Sequence, residues 1–171
     1  MDLAELRYRD CPTVEVALTI AASPDAVWAL VSDIQLPARF SSEFLGADWI
    51  DGATAPSVGA RFVGRNRHSA IGEWETTSTV CDYEPGRRFG WAVGDADHPS
   101  ASWRFVLEPD GAGTRLTQWM QMGPARSGIN MAIDAMPDKE SKILRRRLGE
   151  HRANMEATLA GIKRLLEGTD S

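Results

Sequence analysis

Three histidines and two cysteines are the reactive side chains that stand out in this 171-residue chain. A working nucleophile needs a base within hydrogen-bond reach and a third group to orient that base. The sequence carries neither a Gly-x-Ser-x-Gly elbow nor a Gly-rich phosphate loop that would announce such a grouping. His68, His98, His151, Cys11 and Cys81 are too widely spaced for a metal-ligand pattern, so no metal and no cofactor is expected. The cysteines read as free thiols of a reducing compartment. His98 precedes Pro99 in a turn, and His68 ends a strand. His151 is the candidate acid or base. It follows Leu148 by three residues and precedes Met155 by four, which places it at the border of an apolar helical stripe.

That stripe belongs to the element that must carry the histidine. From Pro137 to Leu166 the apolar residues Leu144, Leu148, Met155, Leu159, Ile162 and Leu166 recur at helical spacing. Pro137 suits the first helical position, Asp138 and Glu140 load the positive end of the helix, and Lys163 and Arg164 load the negative end. Gly168 is placed to cap it. About 30 residues at 1.5 Å each give a rod of about 45 Å, so a large apolar surface must lie against it. The preceding sequence supplies strands. Val14, Val16, Leu18 and Ile20 alternate with polar or small residues. Ser23 and Pro24 then open a short helix, Pro24–Asp33, and a second is expected over Ala38–Phe44. Six further strands are read at Leu45–Asp51, Ala60–His68, Glu73–Tyr83, Arg88–Val93, Ala101–Glu108 and Thr114–Met122. Turn residues such as Asp51-Gly52, Pro85-Gly86 and Asp110-Gly111 separate them. Short connections favour antiparallel neighbours. The fold class is therefore α+β: one seven-stranded antiparallel curved sheet wrapped around a long C-terminal helix, with two short helices after the first strand. Residues 1–12 form an N-terminal extension and 13–168 a single domain.

Strand parity assigns the side chains between sheet and helix. Leu116, Gln118, Met120 and Met122 share a face, as do Trp103, Phe105 and Leu107. Trp74, Thr76, Ser78 and Val80 oppose the charged Glu73 and Glu75, and Phe62, Gly64 and Asn66 oppose three arginines. The expected interior thus collects Trp74, Trp103, Phe105 and Met120 with Leu148, His151, Arg152 and Met155 of the helix. Asn66, Thr76, Ser78 and Gln118 are scattered among them. Apolar walls with a few placed polar groups are the usual make-up of a small-molecule pocket. An unpartnered buried polar group costs about 1–3 kcal/mol, so four in one core point to water or a ligand reaching them, unless they pair with one another.

In this order the motifs Ser-Pro-Asp-Ala-Val-Trp (23–28), Ser32-Asp33 with Pro37, Trp103-Arg104-Phe105, Gly113-Thr114-Arg115-Leu116 and Arg152-Ala153-Asn154-Met155-Glu156 are specific for a fold. The chain from Thr13 to Glu167 resembles the START/birch-pollen-allergen superfamily, the helix-grip or SRPBCC proteins, and within it the polyketide cyclase/dehydrase-like members. The resemblance implies a cavity between sheet and helix. Aromatase/cyclase relatives use a pocket tyrosine and arginine. Glu43 or Phe44 falls near the tyrosine position here and Ser78 near the arginine position, so both expected groups are absent. Glu43 is then a candidate pocket base beside His151, with Arg152 or Asn66 in place of the lost polar contact.

A net charge of −5, with the Arg145–Arg147 run read as a solvated helix face, speaks against a nucleic-acid partner. No stretch reaches the ~20 apolar residues of a membrane span, and Met1–Pro12 lacks the apolar core of a signal peptide, so a cytoplasmic monomer or homodimer is expected. The leading expectation is a carrier for a small hydrophobic, aromatic or polycyclic molecule. The alternative is a cyclase/dehydrase-type enzyme using Glu43 or His151. A third is a co-chaperone-like interaction module, for which outward-facing Trp119 is the one hint.

Overall fold

The computed structural model describes residues 5–168. Its strands are β1 (Thr13–Ile20), β2 (Phe44–Ile50), β3 (Arg61–His68), β4 (Gly72–Glu84), β5 (Arg88–Asp95), β6 (His98–Asp110) and β7 (Gly113–Met122). They form one antiparallel sheet in the order β1-β7-β6-β5-β4-β3-β2, so consecutive strands pair directly and β1 closes beside the last strand. Helix α1 (Pro24–Val31) follows β1, α2 (Ile129–Ala135) follows β7, and α3 (Glu140–Glu167) grips the curved sheet. α3 packs against β1, β7 and α1. No described helix is long and apolar enough to cross a membrane.

Local chemistry explains the ends of these elements. The Ser23 hydroxyl accepts the Ala26 N–H at 3.2 Å, and Pro24 occupies the first turn of α1. Gly168 ends α3 at φ 62°, a left-handed conformation that costs a side-chain-bearing residue energy, and donates its N–H to the Arg164 carbonyl. Pro137 opens a short 3-10 turn, Pro137–Lys139, that leads into α3. The second helical element after β1 differs from the expected Ala38–Phe44. It is a 3-10 turn over Leu36–Arg39, because the Ser41 hydroxyl takes the N–H groups of Glu43 and Phe44 and turns the chain straight into β2.

Burial follows the period-two pattern. Phe62, Val80, Phe89, Phe105, Leu107, Leu116 and Met120 are all buried on the inner face, and α3 meets them with Leu144, Met155, Leu159 and Ile162. Gly161 permits a close approach: a Cβ there would lie 2.4 Å from the Phe40 ring. The segment before β1 is tied down as well. The Tyr8 N–H donates to Glu140 at 2.8 Å, Arg7 reaches the same carboxylate at 2.9 Å, and the Leu6 N–H donates to Ser141 at 3.1 Å.

Candidate functional site

The inner face of the sheet is not uniformly sealed. Toward one end it is closed, with Phe89, Phe105 and Leu116 at 1%, 1% and 0% exposure. Toward the other, the inward-facing Asn66, Trp74, Thr76, Trp91, Val93, Ala101 and Trp103 are all only part-buried. α3 shows the same division: Leu148 and His151 are part-buried, whereas Met155, Leu159 and Ile162 are closed off. Aromatic rings line the boundary. Trp91 meets Phe62 at 5.8 Å, Phe89 at 5.2 Å and Phe105 at 6.2 Å between ring centres. Trp103 meets the imidazole of His151 at 5.4 Å in an edge-to-face arrangement.

Beside this half-open region charged groups converge. Arg147 grips Glu43 with both guanidinium nitrogens: Nη1 donates to Oε2 at 2.8 Å, and Nη2 donates to Oε1. The two side chains are only 13% and 11% exposed. One turn along α3, Glu150 holds His68 at 2.5 Å and lies 3.8 Å from Arg147. The Asn154 carboxamide oxygen accepts the Ser42 N–H and hydroxyl, both at 2.9 Å. Glu43, His68, Glu150 and Asn154 line an open cleft of about 490 Å³ between α3 and the ends of β2 and β3. A smaller cleft of about 170 Å³ is walled by Leu45, Asn66 and Trp74.

This setting decides the charge on His151. Desolvation is the main cause that lowers its pKa, from 6.5 to about 4; Arg147 and His68 push the same way and Glu43 opposes them. At neutral pH the imidazole is therefore uncharged, able to donate from one nitrogen and accept at the other. Glu43 is committed on both oxygens to Arg147, which occupies the lone pairs a base would use.

Glu43 and His151 thus meet in one neighbourhood with Trp103, and Leu148 packs at the core edge beside them. Asn66 and Trp74 lie at the smaller cleft, with part-buried Thr76 on the same strand face as Trp74. Phe105, Met120, Met155 and Ser78 are buried in the packed part. Gln118 is 6% exposed, and its Oε1 has no partner among the described residues. Arg152 stands apart: it is exposed and donates to the Glu15 carbonyl at 3.3 Å. One residue is about 100° of helical turn, enough to carry position 152 off the stripe that position 151 borders. On the outer face, Trp119 lies beneath the Arg104 guanidinium at 4.7 Å.

The sequence does not single out Glu150 or Trp91 and marks His68 only as the end of a strand, and Arg147, expected on a solvated helix face, is instead turned to Glu43. For Arg147 the signal was its place three residues after Leu144 and four before His151, on the stripe rather than in the solvated run. For Trp91 it was the alternation of Phe89, Trp91 and Val93 with Arg88, Gly90 and Ala92. His68 and Glu150 carried no local signal.

The family model described as polyketide cyclase / dehydrase and lipid transport matches residues 12–167. No curated protein matches the chain. Among solved structures, the Polyketide_cyc-like protein Cgl2372 from Corynebacterium glutamicum is 35% identical, with 91% of each chain covered and a TM-score of 0.65. The Zhui aromatase/cyclase from Streptomyces sp. R1128 is 19% identical, covering 90% of this chain and 94% of that one at a TM-score of 0.63. The di-domain ARO/CYC BexL from the BE-7585A biosynthetic pathway is 16% identical, covering 96% of this chain and 52% of that one at 0.70. At the two lower identities the likeness is one of fold.

Proposed function

This chain belongs to the polyketide cyclase/dehydrase and lipid transport family, and we propose that it binds a small, largely apolar, aromatic or polycyclic molecule between the half-open part of the sheet and α3. The observation that carries this reading is the split in the inner face. Trp74, Trp91, Trp103, Leu148 and His151 remain part-buried while Phe89, Phe105, Leu116, Met155 and Leu159 on the same faces are closed. Part-exposed indoles offer large, flat contact area at little conformational cost. Neutral His151 supplies a hydrogen bond without the expense of burying a charge. The test is native mass spectrometry of the protein purified from its own host, joined to melting temperatures across a panel of lipids, flavonoids and polyketides. A copurified apolar molecule, or a ligand-dependent rise, is the expected result. No bound species and no rise across the panel would overturn the reading.

One observation favours a second reading, that of a cyclase/dehydrase-type enzyme. An uncharged imidazole beside a buried Glu43–Arg147 pair is suited to moving a proton at a polarised carbonyl, and Zhui, an aromatase/cyclase by name, shares the fold. In that reading His151 is the acid/base, kept uncharged mainly by burial with Arg147 acting in the same direction, while Glu43 serves as anchor rather than base. His151→Ala and Glu43→Ala turnover on a reactive polyketone mimic separates the two readings. Turnover by the wild type that is lost in His151→Ala supports the enzyme; absence of wild-type turnover supports the carrier.

A further inference from the structure

Gln118 is an anomaly in the closed part of the core. It sits on the inner face of β7 between Leu116 and Met120, at 0% and 1% exposure, and pairs across the ladder with Val16 on β1 and Phe105 on β6. Every neighbour so named is apolar. Its Oε1 is sealed from solvent and meets no donor among the described residues. A leucine or methionine would satisfy the packing without leaving an amide oxygen unserved, so the choice of glutamine calls for a partner that comes from outside the chain.

Its position says where that partner would be. Two residues along β6 from Phe105 on the same face is Trp103, whose ring meets His151. Two residues of strand are about 7 Å. Gln118 therefore lies one step deeper than the Trp103–His151 contact, at the border between half-open and closed sheet. We infer that the Gln118 carboxamide is a polar anchor for the leading end of the bound molecule, so that the ligand class is a ring system carrying hydrogen-bonding groups at both ends. A molecule that enters with a bare hydrocarbon end is disfavoured, because it would leave the amide oxygen unserved in the complex as well. This inference rests on the ligand-binding reading above and narrows it.

The test compares 2-naphthol with 2,6-dihydroxynaphthalene, which share a two-ring body and differ by one hydroxyl at the far end. Affinities are read by tryptophan quenching in the wild type, Gln118→Leu and Gln118→Met. The wild type is expected to prefer the diol by about three- to tenfold, the worth of one buried hydrogen bond. Both variants are expected to lose the preference. Without ligand they are expected to melt about 2–4 °C higher, as removal of an unserved amide predicts. A diol preference that survives in the variants overturns the anchor and leaves the cavity standing; the amide would then be served by internal water. Melting temperatures that fall in both variants also overturn it, since the amide would then be bonded within the fold. If neither naphthol binds the wild type, the cavity reading fails and the anchor fails with it.

Discussion

Replacing Arg147 with methionine should be among the most damaging single changes available to this protein, although it removes a surface-type residue from a run of three arginines. In the fold Arg147 is 13% exposed and gives both ends of its guanidinium to Glu43, itself 11% exposed. Methionine keeps the aliphatic stem and removes the charge, so the loss is almost wholly that of a partner for a sequestered carboxylate. Breaking a fully buried pair costs 3–5 kcal/mol. With about a tenth of each side chain still wet, the lower end applies, about 3 kcal/mol. At a typical urea slope of about 2 kcal/mol per molar, the unfolding midpoint should fall by about 1.5 M. The double variant Glu43→Leu/Arg147→Met replaces both charges with apolar groups and should recover most of that loss, giving a coupling of at least about 2 kcal/mol in the double-mutant cycle. The same substitution should move His151. Arg147 lowers its pKa and Glu43 raises it, so taking away only the cation lets the imidazole titrate above its wild-type value of about 4, which histidine ring NMR would follow. A cost below about 1 kcal/mol with additive double-variant behaviour would refute the claim that this pair is sequestered and coupled.

The pH dependence of stability follows from His151. It titrates at about 4 folded and near its ordinary 6.5 unfolded, so between those values only the unfolded chain takes up the proton. Stability should therefore fall as pH drops from 6.5 toward 4, by about 3 kcal/mol in total, and His151→Phe should flatten that part of the urea-midpoint profile. Gly161→Ala would set a Cβ 2.4 Å from the Phe40 ring. The overpacking cost of about 1–3 kcal/mol should outweigh the helix-propensity gain of about 1 kcal/mol, and Phe40→Leu in the same chain should relieve it, as thermal melting will show. Tyr8→Phe deletes the hydroxyl that donates to the Ala125 carbonyl at 2.6 Å, and should cost about 1 kcal/mol in chemical unfolding with the fold unchanged by circular dichroism.

The architecture was legible because its signals are local and periodic. Glu73 and Glu75 assign Trp74, Thr76, Ser78 and Val80 to the inside by simple alternation, and the stripe through Leu144, Met155, Leu159 and Ile162 turns the right face of α3 to the sheet. Ser23 and Gly168 act at the helix ends they announce. The chemistry was less legible because it is built from long-range pairs. Glu43 and Arg147 are 104 positions apart, and His68 and Glu150 are 82. No spacing rule connects them, and side chains of those types are usually solvated. The run Arg145–Arg147 shows the limit most clearly. Read as composition it is one basic patch. Read as a helix it divides, with Arg145 and Arg146 exposed and Arg147 turned to Glu43.

The two halves of α3 are held by a different balance of forces, and the half held mainly by polar contacts lies over the part-buried stretch of the inner face. From Met155 onward the helix is fixed by burial: Met155, Thr158, Leu159, Gly161 and Ile162 are all closed against sheet and loop. Before it, Leu144 is the only buried residue, and attachment is largely polar: Glu140 to Tyr8 and Arg7, Ser141 to Leu6, Arg147 to Glu43, Glu150 to His68 and Asn154 to Ser42. Apolar burial requires surfaces in contact, so a half held that way can leave no space beneath it. Ion pairs and hydrogen bonds fix a helix at points along its edges, and they leave the surface between those points free. The part-buried stretch of the inner face, Trp91 and Trp103 with Leu148 and His151 opposite, coincides with the half that is pinned at its edges and only partly packed against the core.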